Sequence, residues 1–144
     1  MMVFTRLLLA YTIMAALLLN GCKKDKYPPR FRVTGKVTFP DGAPVRTGVI
    51  EFVPIRGNLT ANGTINSDGT YSLSTIGQDD GACAGEYRVI VKQFIFYDKI
   101  PKEKHDHGGD VSVEYADERT TPLRFEVKAQ KNEAVFEVNY RENR

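Results

Sequence analysis

Two histidines, two cysteines and a few clustered carboxylates are the residues of this 144-residue chain whose chemistry could go beyond packing. His105 and His107 stand at i and i+2 with Asp106 between them. In an extended segment both rings would face one side, which begins a metal site. Structural zinc takes four ligands and catalytic zinc three plus water, so Glu103, Asp110 or Glu114 would have to complete the set. The polar run Pro101–Asp110 around them reads more simply as a solvated loop. Cys83 lies in Gly-Ala-Cys-Ala-Gly, small residues that suit a tight turn, and nothing nearby in sequence supplies the base a thiol nucleophile needs. Asp68, Asp79 and Asp80 are oxygen ligands in principle, yet no acidic loop of the EF-hand kind surrounds them. The chain lacks a Ser/His/Asp order, a phosphate-binding Gly loop and an HExxH helix. The expectation is therefore no catalytic residue and no cofactor, with His105 and His107 as weak metal candidates.

Cys22 carries a different chemistry. An apolar run from Leu7 to Leu19 follows a short segment holding Arg6, and it ends in Asn20-Gly21-Cys22. A basic start, an apolar stretch of about 7–15 residues and a small residue before the cut describe a secretory signal. The run is shorter than the roughly 20 residues that cross a bilayer. Leu19 at −3, Gly21 at −1 and Cys22 at +1 resemble the bacterial lipobox, with Asn20 departing from the more usual Ala or Ser. That resemblance implies a thioether-linked diacylglyceryl group on Cys22 and a mature chain beginning there. Acylation removes Cys22 from disulfide chemistry and leaves Cys83 as a lone thiol. The sequons at Asn58 and Asn62 then lose their meaning as glycosylation sites. Lys23 at +2, rather than Asp, favours the outer over the inner membrane.

The elements that must position these residues are strands. Residues 1–21 read as signal peptide and 22–29 as a lipidated tether, charged and closed by Pro28-Pro29. A β domain follows over 30–144. Phe31, Val33, Gly35, Val37 and Phe39 alternate with polar residues, a period of two that marks a half-buried strand. Further strands are expected at about 46–54 and 60–66, then through Tyr71 and Leu73, and at 86–91. Two more run through Leu123, Phe125 and Val127 and through Phe136, Val138 and Tyr140. Pro40-Asp41-Gly42 breaks the first strand. Ser67-Asp68-Gly69 reads as a type I′ hairpin turn. The expected fold is all-β, a seven-stranded antiparallel β-sandwich. Its interior should hold Phe31, Val33, Val37, Ile50, Phe52, Tyr71, Leu73, Tyr87, Val89, Val91, Leu123, Phe125, Phe136 and Val138. The long gap from Tyr97 to Thr121 is the candidate functional loop. Phe94, Phe96 and Tyr97 before it either finish the core or form a patch.

The order Gly35-Lys36-Val37, Asp41-Gly42-Ala43-Pro44-Val45, Val49 to Pro54, Ser67 to Leu73 and Gly85-Glu86-Tyr87-Arg88-Val89 resembles the transthyretin-like (prealbumin-like), carboxypeptidase-regulatory-like domain. Tyr115-Ala116-Asp117, Thr121-Pro122-Leu123 and the last strand look like the version found on small planctomycete-type lipoproteins. The resemblance implies a β-sandwich serving as an accessory or adhesive module. Hydroxyisourate hydrolases share that fold and end in Tyr-Arg-Gly-Ser beside catalytic His and Arg. Here only Tyr140-Arg141 matches, and the first strand has no His.

With 20 Lys plus Arg against 18 Asp plus Glu, composition offers no basic excess for nucleic acid. The expectation is a lipid-anchored cell-envelope protein. Its partners would be the membrane, through acyl chains on Cys22, and a protein or glycan. The competing reading is a metal-binding protein or enzyme using His105 and His107, or a degenerate hydroxyisourate-hydrolase-like domain.

Overall fold

A computed structural model describes residues 26–93 and 109–142. They form nine strands: β1 (Arg30–Phe31), β2 (Val33–Thr38), β3 (Gly48–Pro54), β4 (Ala61–Ile65), β5 (Thr70–Ser72), β6 (Ala82–Cys83), β7 (Gly85–Lys92), β8 (Arg124–Val127) and β9 (Asn132–Glu137). A four-residue 3-10 helix, Val113–Ala116, is the one helical element among the described residues. No helix among them is long and apolar enough to cross a membrane.

The described residues are all-β and sandwich-like. A four-stranded sheet in the order β4-β3-β7-β8 and a three-stranded sheet in the order β5-β2-β9 contribute to one core. β1 and β6 make a separate two-stranded ribbon. Alternation drives this arrangement: β4 and β9 read buried-exposed at every other residue, as period-two strands with one wet face must. Val33, Val37, Ile50, Phe52, Leu73, Val89 and Val138 are fully buried. Phe52 lies at the centre of the aromatic packing, its ring 5.8 Å from Tyr87, 5.8 Å from Phe125, 6.0 Å from Phe136 and 6.4 Å from Tyr71.

Several expectations need correction. The sheets are not wholly antiparallel, because β2 and β9 pair in parallel from Val33↔Asn132 to Thr38↔Glu137. The turn after β8 carries the chain across to the other sheet at the end where β2 begins, so β9 must run in the direction of β2. Asn132 builds that turn: its side-chain oxygen accepts from Lys128 N at 2.9 Å and its amide nitrogen donates to the Lys128 and Gln130 carbonyls. The first strand is broken at Arg32, whose carbonyl accepts from Asn132 N–H, so Phe31 pairs with Ala82 in the ribbon instead. Phe31, Leu123 and Phe125 are partly rather than fully buried. Val45, Val111 and Tyr115 join the core without having been expected there.

The Asp68-Gly69 turn is not type I′. Only Gly69 has positive φ (83°), whereas that turn needs it at both central residues. Instead Gly69 N–H donates to Asn66 C=O and Asn66 N–H to Thr70 C=O, both at 2.9 Å, while Asp68 Oδ1 accepts from Thr70 N at 3.0 Å. The Asp41-Gly42 turn repeats the pattern. Gly42 N–H donates to Phe39 C=O, Phe39 N–H to Ala43 C=O, and Asp41 Oδ1 accepts from Ala43 N. One turn design thus serves twice, and after the second copy β5 pairs with β2 in the other sheet rather than with β4.

Candidate functional site

The registers sort the loops between the two ends of the sheets. β2 begins, β3 ends, β7 begins, β8 ends and β9 begins at the end where Lys26 to Arg30 enter. The opposite end gathers the Asp41-Gly42 and Asp68-Gly69 turns, Gln93, the described part of the long connection from residue 109 onward, and the C-terminal residues 138–142.

At that far end the long connection is fastened at its base. The Gln93 side chain donates to Gly109 C=O at 3.0 Å and accepts from Val111 N at 2.9 Å, joining the two borders of segment 94–108. Val111 bridges to Tyr140, Ser112 N–H donates to Asn139 C=O, and Arg141 N–H donates to Asp110 C=O at 2.7 Å. The buried Tyr115 hydroxyl accepts from Asn139 N at 3.2 Å. Thr121, also buried, donates to Val89 C=O at 2.7 Å and closes the connection onto β7.

Tyr140 stacks on Phe39 with ring centroids 4.0 Å apart, and its hydroxyl donates to Asp41 Oδ2 at 2.8 Å. The Ala43 N–H and then the Tyr140 hydroxyl hold the Asp41 carboxyl below its ordinary value. The same hydrogen bond holds the Tyr140 phenol above its own. Asp117 accepts from Arg119 Nε and Nη2 at 3.0 and 2.7 Å and from Arg119 N at 2.8 Å, which brings its pKa down to about 2. A shallow groove between the connection and the C-terminal residues is lined by Asp110, Ser112, Glu114, Tyr140, Arg141 and Glu142.

The expected site residues fall as follows. Cys22, Phe94, Phe96, Tyr97, Glu103, His105 and His107 lie outside the described residues. Asp110 and Glu114 lie in the groove. Asp80 is a loop staple. Its oxygens accept from Thr75 N (2.7 Å), Ile76 N (3.3 Å) and Gly77 N (2.9 Å), and Arg30 Nε lies 2.7 Å away. Burial raises its pKa, but those donors outweigh burial and hold it low. A carboxylate so occupied has little left to offer a cation. Asp79, at φ 54°, donates its N–H to Ser74 Oγ, and Asp68 is spent on Thr70. Among the described residues no three His, Cys, Asp or Glu side chains gather where they would hold a metal ion. Cys83 is a half-buried free thiol whose carbonyl accepts from the Tyr87 hydroxyl at 2.8 Å.

Sequence reasoning passed over Gln93, and it named Tyr115 and Thr121 as motif residues of the long connection without expecting them to fasten it. Their partners lie 16 to 32 residues away, and no local pattern announces such a contact. What the described residues of the far end offer chemically is a hydrogen-bonded platform of backbone, amide and carboxylate groups. Comparison with protein-family models, characterised proteins and solved structures finds no match for this chain.

Proposed function

We propose that this chain is a lipid-anchored cell-envelope protein, acylated at Cys22. Its seven larger strands form a non-enzymatic β-sandwich of the transthyretin-like, carboxypeptidase-regulatory-like kind. The module binds a protein or glycan partner at the end remote from the anchor. One observation carries this reading: Gln93 fastens both borders of segment 94–108 at the end of the sheets opposite residues 26–30. A rigid scaffold holding a long connection at its free end is the arrangement in which loops carry binding. The carboxylates at the turns already serve backbone donors, which favours recognition over general acid–base work there.

The test uses the full chain in its membrane. Mass spectrometry of extracted protein should give a diacylglyceryl adduct on Cys22, and Cys22→Ser should prevent anchoring. Partner capture should fall when residues 94–108 are deleted and fall less with Gln93→Ala. Capture unchanged by the deletion places the binding surface elsewhere. Zinc or copper bound stoichiometrically, and lost in a His105→Ala/His107→Ala variant, replaces this reading with the metal-binding one.

A further inference from the structure

The loops at the anchor end form one face. Ile55 N–H donates to Glu86 C=O at 2.9 Å and Asn132 N–H to Arg32 C=O at 2.9 Å, while Arg30 pairs with Asp80 at 2.7 Å. These contacts tie the 75–80 loop and the β8–β9 turn to the entering chain and the β3–β4 loop to the start of β7. Lys26, Arg32, Arg56, Lys128 and Lys131 are exposed there. Asp79 is the exposed acid of these loops; Glu86 shares one hollow with Arg56, and Glu126 and Glu133 share another with Lys128 and Lys131, so the face keeps a small cationic excess rather than a purely basic surface. Among the cations two aliphatic side chains are half in water, Ile55 at 42% and Ile76 at 48% exposure.

Among the described residues the far end has the opposite sign. Asp41, Asp68, Asp110, Glu114, Asp117, Glu118 and Glu142 stand there against Lys36, Arg46, Arg119 and Arg141, while Lys92 is paired with Glu51. The domain is therefore polar in the electrical sense, along the same axis that the entering chain defines. A cationic face tipped with isoleucines matches an anionic lipid surface, where Lys and Arg meet head groups and aliphatic tips enter the interface.

We infer that this face seats the folded domain on the anionic surface of its own membrane; the inference rests on the reading of Cys22 as a lipid anchor. Residues 22–26 span at most about 18 Å when extended, so the anchor holds the face within reach of the head groups. Weak contacts suffice at such effective concentration. Seating fixes the domain upright and turns the Gln93 platform away from the bilayer.

The chain contains no tryptophan, so one introduced indole reports alone. Ile55→Trp and Ile76→Trp place the reporter on the seating face; Val113→Trp, at a position 64% exposed, places it at the far end. Each full-length lipidated variant goes into phosphatidylcholine vesicles with about 30% phosphatidylglycerol and brominated acyl chains. Positions 55 and 76 should shift to the blue and be quenched at least about threefold more than position 113, reversing at about 0.5 M salt. Arg56→Glu/Lys131→Glu should abolish the difference. If one isoleucine variant fails to fold, the other decides alone. Equal quenching at all positions, in protein whose Cys22 carries lipid, overturns the seating and leaves the anchor reading standing. Membrane-extracted protein with an unmodified Cys22 overturns both.

Discussion

At the scale of single residues, Phe52 carries the most packing. It is fully buried and touches aromatic rings from both sheets. Phe52→Ala should cost about 3–5 kcal/mol in urea unfolding, because the cavity cannot collapse against four stiff rings. A cost below about 1 kcal/mol would contradict the packing described. Titratable residues set the pH limits. Asp41, Asp68, Asp80 and Asp117 all have carboxyls held below the ordinary value. Such a group binds its proton more readily in the unfolded chain. Its stabilisation is present above the unfolded value of about 4 and is lost as pH falls through the folded values. For Asp117 the folded value is about 2. Tyr71, Tyr87 and Tyr140 behave in the opposite sense. Burial raises Tyr71, burial and then Cys83 raise Tyr87 to about 12, and the Asp41 bond raises Tyr140. Their contribution is complete below about pH 10 and fades as pH rises through the folded values. The urea midpoint should therefore show a plateau with an acid and an alkaline shoulder. Asp117→Asn should soften the first and Tyr71→Phe the second.

At the scale of elements, the repeated Asp-Gly turn separates two costs of adding a methyl group. Gly42 and Gly69 both sit at φ 83°. An added Cβ meets nothing within 4 Å at Gly42 but would lie 2.6 Å from Val37 O at Gly69. Gly42→Ala should cost about 1–2 kcal/mol for the left-handed backbone alone. Gly69→Ala should cost more by at least about 1 kcal/mol, since a backbone carbonyl cannot step aside. Equal midpoint losses would refute the distinction. The same elements show what sequence can and cannot reveal. β3, β4, β7 and β9 were legible because one face of each is buried, and burial writes a period of two into the chain. The ribbon of β1 and β6 was not, since two residues hold no period. The crossing at Asp68-Gly69 was hidden too. Asp-Gly fixes a local turn without fixing which strand the chain joins afterwards. At the candidate site, the span of the long connection was visible from its polar composition. Its fastening was not, because Gln93 and Tyr115 find partners set by the assembled sheets.

At the scale of the whole molecule, removal of residues 132–144 should abolish cooperative unfolding. It strips β2 of one neighbour and takes the buried Ala134, Phe136 and Val138 out of the core. A truncated chain that still gave a sharp urea transition would show that the four-stranded sheet folds alone. The parallel pairing of β2 with β9 also has a consequence in time. Val33 faces Asn132, so the first strand of the three-stranded sheet waits for the last one to be made. A ribosome adding about 5–20 residues per second needs on the order of ten seconds to cover that separation. Throughout that interval the sheet lacks a member, and the emerging polypeptide has no complete structure to lock into. A sheet that closes only on residues 132–137 leaves part of the core unfilled until they appear, so the chain made before them is easier to unravel than the finished fold.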